Sequence, residues 1–217
     1  MEKKVKEILK KMDEFHENFE KEHRFSGPSL HFHLRALGLK GKITESEKIE
    51  LIYAMLSSWG MHRMGKTGAK MKDFETFKNS VESVKKEINE LKKMNVSDLR
   101  KEDDKGWEKL EKVFKTIDAM ESDPILVANS KVMAHLLPNL VAPIDRQYTL
   151  KKLEFSFPDK KEKQWELFKE IHLKFYYPVV IDATFIKKAN QWIKNEKNKW
   201  DTSLLKVVDN LVIGMTN

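Results

Sequence analysis

Two residue types in one short stretch could do covalent chemistry. In NSKVMAHLLPNLVAPIDRQYT, residues 129–149, Lys131 offers an amine and Asp145 a carboxylate. An amine that has lost its proton attacks an electrophilic carbon, and a nearby carboxylate can take that proton or stabilise a cation. Apolar periodicity predicts a short helix near 130–137, halted by Pro138, with another helix starting around Asp145. On that reading the N–H groups of Ser130, Lys131 and Val132 point out of a helix N-terminus, and with Asn129 they form a seat for phosphate. Each residue also has an ordinary role, because Asn129, Ser130 and Asp145 are good helix caps and most lysines are solvated cations.

A second stretch has the form of a phosphate loop. GMHRMGKT, with Gly60, Gly65, Lys66 and Thr67 at the spacing G-x-x-x-x-G-K-[ST], would cradle a nucleotide, and VVID at 179–182 imitates the strand-then-Asp element that helps hold magnesium. The mechanism needs a strand before the loop and a helix after it. Here ESEKIELIYAML has helical spacing, and Gly68 interrupts the helix that should follow, so nucleotide binding through this loop is the weaker expectation.

The elements that must position these residues are almost all helical. Val5, Ile8, Leu9, Met12, Phe15 and Phe19 recur at three- and four-residue spacing over 2–24, the apolar stripe of an amphipathic helix. Pro28 suits the first turn of the next helix, which ends before Gly38. Thr44 and Glu47 have capping-box spacing ahead of a helix running to Gly60, and Asp73 caps a long helix reaching Leu91. WEKLEKVFKTIDAM, KQWELFKEIHLKFYY, IDATFIKKANQWIKN and TSLLKVVDNLVIGM continue the pattern, while only YPVVID reads as strand. The charged connection NVSDLRKEDDKG, within a hinge region near 95–106, is where two lobes would meet. The expectation is a single all-α domain over 1–217, a compact two-lobed helical bundle. His16 and Glu20 share a helical face but have no third ligand in sight, and His31 and His33 point roughly 200° apart, so no metal site is predicted.

Composition narrows the function classes. Lys+Arg at 41 against Asp+Glu at 34 gives a net charge of +7, which favours polyanionic partners. The lack of Cys excludes disulfides, zinc–cysteine sites and iron–sulfur clusters. No stretch approaches the roughly 18 apolar residues of a membrane span. The start is charged and lacks an apolar leader core, so a soluble, cytoplasmic protein with no membrane contact is expected. Charged residues make up 35%, mainly Lys and Glu, a composition associated with hot growth environments.

Taken together, LVANSK, VMAHLLPNL and VAPIDRQYT resemble the helix-hairpin-helix DNA glycosylase superfamily. Its members have a Gly-rich hairpin, a helix opened by a lysine or its equivalent, and then a catalytic aspartate in a V-P-V-D or V-D-x-x-V setting. Lys131 falls on the lysine position and Asp145 on the aspartate position. LIYAMLSSW is similar to the family's helix ending in L-S-Q-Q, with Ser57 and Ser58 where the glutamines would be. The chain departs from the pattern at the hairpin, where Val127, Ala128 and Asn129 stand near the glycine positions, and it lacks the glutamine wedge and the cysteine cluster that some members carry.

The resemblance implies base excision on a nucleotide flipped out of DNA, with a glycosylase-like all-α fold. It implies that Lys131 attacks the sugar to form a Schiff base, adding lyase activity, while Asp145 stabilises the sugar cation and activates the nucleophile. Asn129, Ser130 and Arg146 would hold backbone phosphate, and Trp59 or His62 would stack on a base or fill the gap it leaves. DNA is the partner this implies, and no cofactor is required. A non-catalytic helical module binding nucleic acid or protein on the same fold stays open beside it.

Overall fold

The structure is a computed structural model describing residues 1–22, 27–65, 68–100 and 104–215, and it is all-α. The first helices form where local chemistry asks for them. α1 (Glu2–Glu22) buries Ile8, Phe15 and Phe19 on the expected stripe. α2 (Pro28–Ala36) has its proline in the first turn. α3 (Glu45–Ser58) carries the reciprocal box, with Glu47 N–H donating to Thr44 Oγ1 at 3.2 Å and Thr44 N–H to Glu47 Oε2 at 2.6 Å. Asp73 caps α4 (Phe74–Ser83) by accepting from Thr76 N–H at 2.9 Å.

Three expectations about elements need correction. The long helix to Leu91 is two, α4 and α5 (Lys85–Leu91), because Val84 leaves helical geometry at φ −110°, ψ 18°. The segment read as strand is α10 (Tyr177–Val180), reached from α9 (Lys161–Ile171) through a π-helical turn over His172–Tyr176. Pro178 has no N–H and its ring crowds the preceding turn, so the helix widens there rather than stopping. Asp182, placed with VVID as a magnesium holder, caps α11 (Ala183–Lys194) by accepting from Phe185 N–H at 2.9 Å. The third correction concerns α8, which spans Leu126–Leu136 and so begins four residues before the expected start. Its first donors are satisfied from outside, since the N–H groups of Ile125 and Leu126 both reach Gln164 Oε1 at 2.9 Å.

α6 (Val96–Arg100) and α7 (Asp104–Thr116) take up the two ends of the charged connection, and the buried Leu99 accepts from the indole N–H of Trp107 at 3.0 Å. A single apolar cluster joins residues from Ile8 through Leu99 to Met215. α12 (Leu204–Gly214) crosses α1 so closely that a Cβ on Gly214 would lie 1.9 Å from the carbonyl oxygen of Phe15. Asn18 Nδ2 donates to Gly214 O at 3.2 Å across the same contact. Among the described residues, no helix is long and apolar enough to cross a membrane.

Asn129 is fully buried, and its amide donates to Phe114 O at 2.8 Å and Ile117 O at 2.9 Å, closing the C-terminal end of α7. Asn129→Ala leaves both carbonyls without this donor, and a loss of roughly 2 kcal/mol in urea-unfolding free energy is expected. A loss below a few tenths would show that the two bonds add nothing.

Candidate functional site

The stretch that carries Asp145 is extended, so its backbone polar groups cannot bond to one another, and side chains from four other elements take them up. Tyr177 Oη donates to Leu140 O at 2.8 Å and Tyr176 Oη to Pro143 O at 3.1 Å. Ala142 N–H donates to His172 Nε2 at 3.0 Å, Ile144 N–H to Ser130 Oγ at 3.0 Å, and Asp145 N–H to Thr149 Oγ1 at 3.1 Å. Asp145 then opens a π-helical turn over Arg146–Leu150, its Oδ1 accepting from Gln147 N–H at 2.7 Å. Its other oxygen faces the amine of Lys131, 3.2 Å away.

Lys131 lies in the middle of α8, not at its start, so the phosphate seat expected there is corrected. Asn129 N–H bonds within the helix to Ile125 O at 2.8 Å. Ser130 is sealed between Val127 and the Ile144 backbone. Neither Asn129 nor Ser130 reaches solvent, and the hairpin that would hold backbone phosphate is replaced by continuous helix.

Lys131 and Asp145 both open into a groove of about 1350 Å³. Lys131 is only 8% exposed, and its amine stands 5.1 Å from the centre of the Trp59 ring. Ser58, Trp59, Gly60 and Arg146 also line the groove, whereas Ser57 and His62 do not. Ser57 Oγ bonds back to Tyr53 O at 3.3 Å, and the exposed His62 donates from Nδ1 to Ser57 O at 2.7 Å. Arg146 lies flat on Phe157, its guanidinium carbon 3.6 Å from the ring centre. Arg63, Lys70 and Lys151 join it on the rim, and among the described residues none of the four pairs with an acid.

Gly60 has φ 77° and terminates α3, its N–H donating to Ser57 O at 3.0 Å while Met61 N–H reaches Leu56 O at 3.1 Å. This is a helix C-terminal cap, so it aims carbonyl oxygens, not amides, toward the loop. Gly65 and Gly68 then pair in a two-residue antiparallel hairpin, β1 (Met64–Gly65) with β2 (Gly68–Ala69). The flanks are thus helix and hairpin, the reverse of the strand-loop-helix order on which the nucleotide expectation depends. Lys66 and Thr67 lie outside the described residues.

Sequence reading missed a second lysine–aspartate pair on the same groove. Lys206, also 8% exposed, donates to Asp209 Oδ2 at 2.6 Å and to Asn210 Oδ1 at 2.5 Å, with its amine 5.4 Å from the Trp200 ring centre. Burial pushes the Asp209 carboxyl up, against the pull of Lys206, and the charges of Asp145 and Lys131 also reach it. The signal was the K-x-x-D spacing in LLKVVDNL, which places both side chains on one helical face inside an otherwise apolar run.

Behind the groove, His135 Nδ1 donates to Lys131 O at 2.8 Å, which leaves its Nε2 to accept from His33 Nδ1 at 2.9 Å when both rings are neutral. Burial holds His135 down to about 4 and, with His135 and Lys206 nearby, keeps His33 well below the usual range. His172 is also held down to about 4 by burial. The unfolded chain therefore binds more protons than the folded one between pH 6.5 and about 4, so stability falls as pH drops through that window. Lowering the pH from 7 to 5 is expected to cost roughly 2 kcal/mol for each of His135 and His172. Urea unfolding of His172→Gln should show a shallower acid loss than the parent, and identical slopes would remove His172 from the account.

No family model, no curated protein and no solved structure matches this chain.

Proposed function

We propose that the groove receives a nucleotide turned out of DNA and that Lys131 and Asp145 act on its sugar, as in a glycosylase with lyase activity. The observation that carries this reading is the nearly buried Lys131 amine, 3.2 Å from Asp145 and above Trp59, opening into a groove with a cationic rim. The groove exceeds the roughly 300–1,000 Å³ of an ordinary small-ligand pocket, which suits a nucleotide still joined to its strand. Trp59 offers an aromatic wall on which a base can stack. The resemblance to helix-hairpin-helix glycosylases points the same way, through the same two residues.

In this chemistry Asp145 takes a proton from the Lys131 ammonium, and the freed lone pair forms a C–N bond to the sugar carbon. The glycosidic bond breaks, its electron pair leaves with the base, and the base takes a proton from Asp145 or water. The resulting N,O-acetal loses a nitrogen proton to Asp145, the nitrogen lone pair then expels the sugar ring oxygen, which takes that proton back, and the protonated Schiff base left behind is reduced by borohydride to a stable adduct.

Incubation with duplexes containing a damaged base or an abasic site, followed by borohydride, is expected to give a covalent protein–DNA band. Binding without any trapped band would instead support a non-catalytic nucleic-acid module, and no binding at low salt would reject both. Four rim cations give an expected slope of about −3 to −4 for log affinity against log salt. Arg63→Ala and Lys70→Ala should each flatten it by about one.

A further inference from the structure

A second cluster lies away from the groove, where α1 meets the segment leading into α12. His16 and Glu20 are one turn apart on α1, and Asp201 comes from the connection after α11. One ligand atom from each, His16 nitrogen, Glu20 oxygen and Asp201 oxygen, lie within 4.8 Å of one another. His16 and Asp201 are buried and Glu20 is half-buried. We propose that His16 Nε2, the Glu20 carboxylate and Asp201 Oδ2 hold a divalent transition-metal cation of the zinc class.

The donor set fits that ion. One imidazole and two carboxylates supply borderline and hard donors and a charge of −2, which a divalent cation neutralises, and the fourth tetrahedral position is left for water. Ligands about 2.0 Å from zinc are roughly 3.3 Å from one another, so a rotation of a carboxyl group closes the set. His16 Nε2 already stands 2.7 Å from Asp201 Oδ2, and the metal would take the place of the single proton between them.

The outer partners are also those of a metal site. The His16 ring is stacked on Trp192 with centres 4.0 Å apart and planes within 3°, which fixes its direction. Asp201 uses its other oxygen to accept from Asn210 Nδ2 at 2.7 Å. Such second-layer contacts orient ligands before the ion arrives. Asn210 in turn accepts from Lys206 in the groove at 2.5 Å, so the cluster is two hydrogen bonds from the second lysine–aspartate pair.

The test uses the full chain and the metal alone, so it is independent of any DNA activity. Calorimetric titration of the dialysed protein with Zn²⁺ is expected to show one-to-one binding that weakens on acidification. Co²⁺ should give the visible absorption of a low-symmetry site. Glu20→Gln, nearly the same shape, should lower affinity at least about tenfold and abolish any metal-induced rise in Tm. His16→Gln serves as a second variant with the same readouts. Replacing both His31 and His62 by alanine should change nothing. Absence of stoichiometric binding, binding undiminished in both Glu20→Gln and His16→Gln, or binding lost with His31 and His62 would overturn the site.

Discussion

Lys131→Ala is expected to abolish the borohydride-trapped adduct while leaving DNA affinity almost unchanged. Lys131 is 8% exposed and its amine already faces Asp145, so it adds little to the attraction that the exposed rim cations would exert on phosphates. Its removal takes away the bond-forming lone pair and nothing replaces it, because Lys206 is committed to Asp209 and Asn210. Asp145→Asn is the companion experiment. Its side-chain oxygen can still accept from Gln147 N–H, so the turn should fold, but the proton acceptor is gone and base release should slow by about 10² to 10⁴. Trapping that persists in Lys131→Ala at the parent level would remove this lysine from the chemistry, and a large loss of affinity would make it a binding residue instead.

Gly214→Ala is expected to be the most damaging single methyl in the fold. The added carbon would stand 1.9 Å from Phe15 O and 2.9 Å from both Phe15 C and Phe19 N, all of them backbone atoms of α1 that cannot rotate away. α1 and α12 would have to separate, loosening Phe15, Phe19 and Leu211 in the core and the Asn18–Gly214 bond. Dense interiors transmit such a strain, so a loss of about 3 kcal/mol or more is expected in urea unfolding. Retention of parental stability would mean that the two helices can slide apart freely.

Helix-forming periodicity and capping chemistry were legible because they are local. Thr44, Asp73 and Pro28 act on residues within a turn of themselves, and each does what its type dictates. The errors arise where a distant side chain decides. α8 starts early because Gln164 satisfies its first amides, a contact 38 and 39 residues away in sequence. The tyrosine-rich run became helix because its aromatic rings fill the core and its hydroxyls serve the backbone that carries Asp145. For the site, the proximity of Lys131 and Asp145 was an inference from order along the chain. Lys206 and Asp201 were hidden, because what makes them notable is the neighbour each finds in space.

The stacking of Arg146 on Phe157 has one more consequence. A guanidinium laid flat on a ring presents its N–H groups edge-on, in a single plane, and gives up little freedom when it captures a planar or forked anion. A lysine there would keep the charge and lose the orientation. The groove thus has a built-in compass at its mouth, which fixes the direction from which such an anion is met.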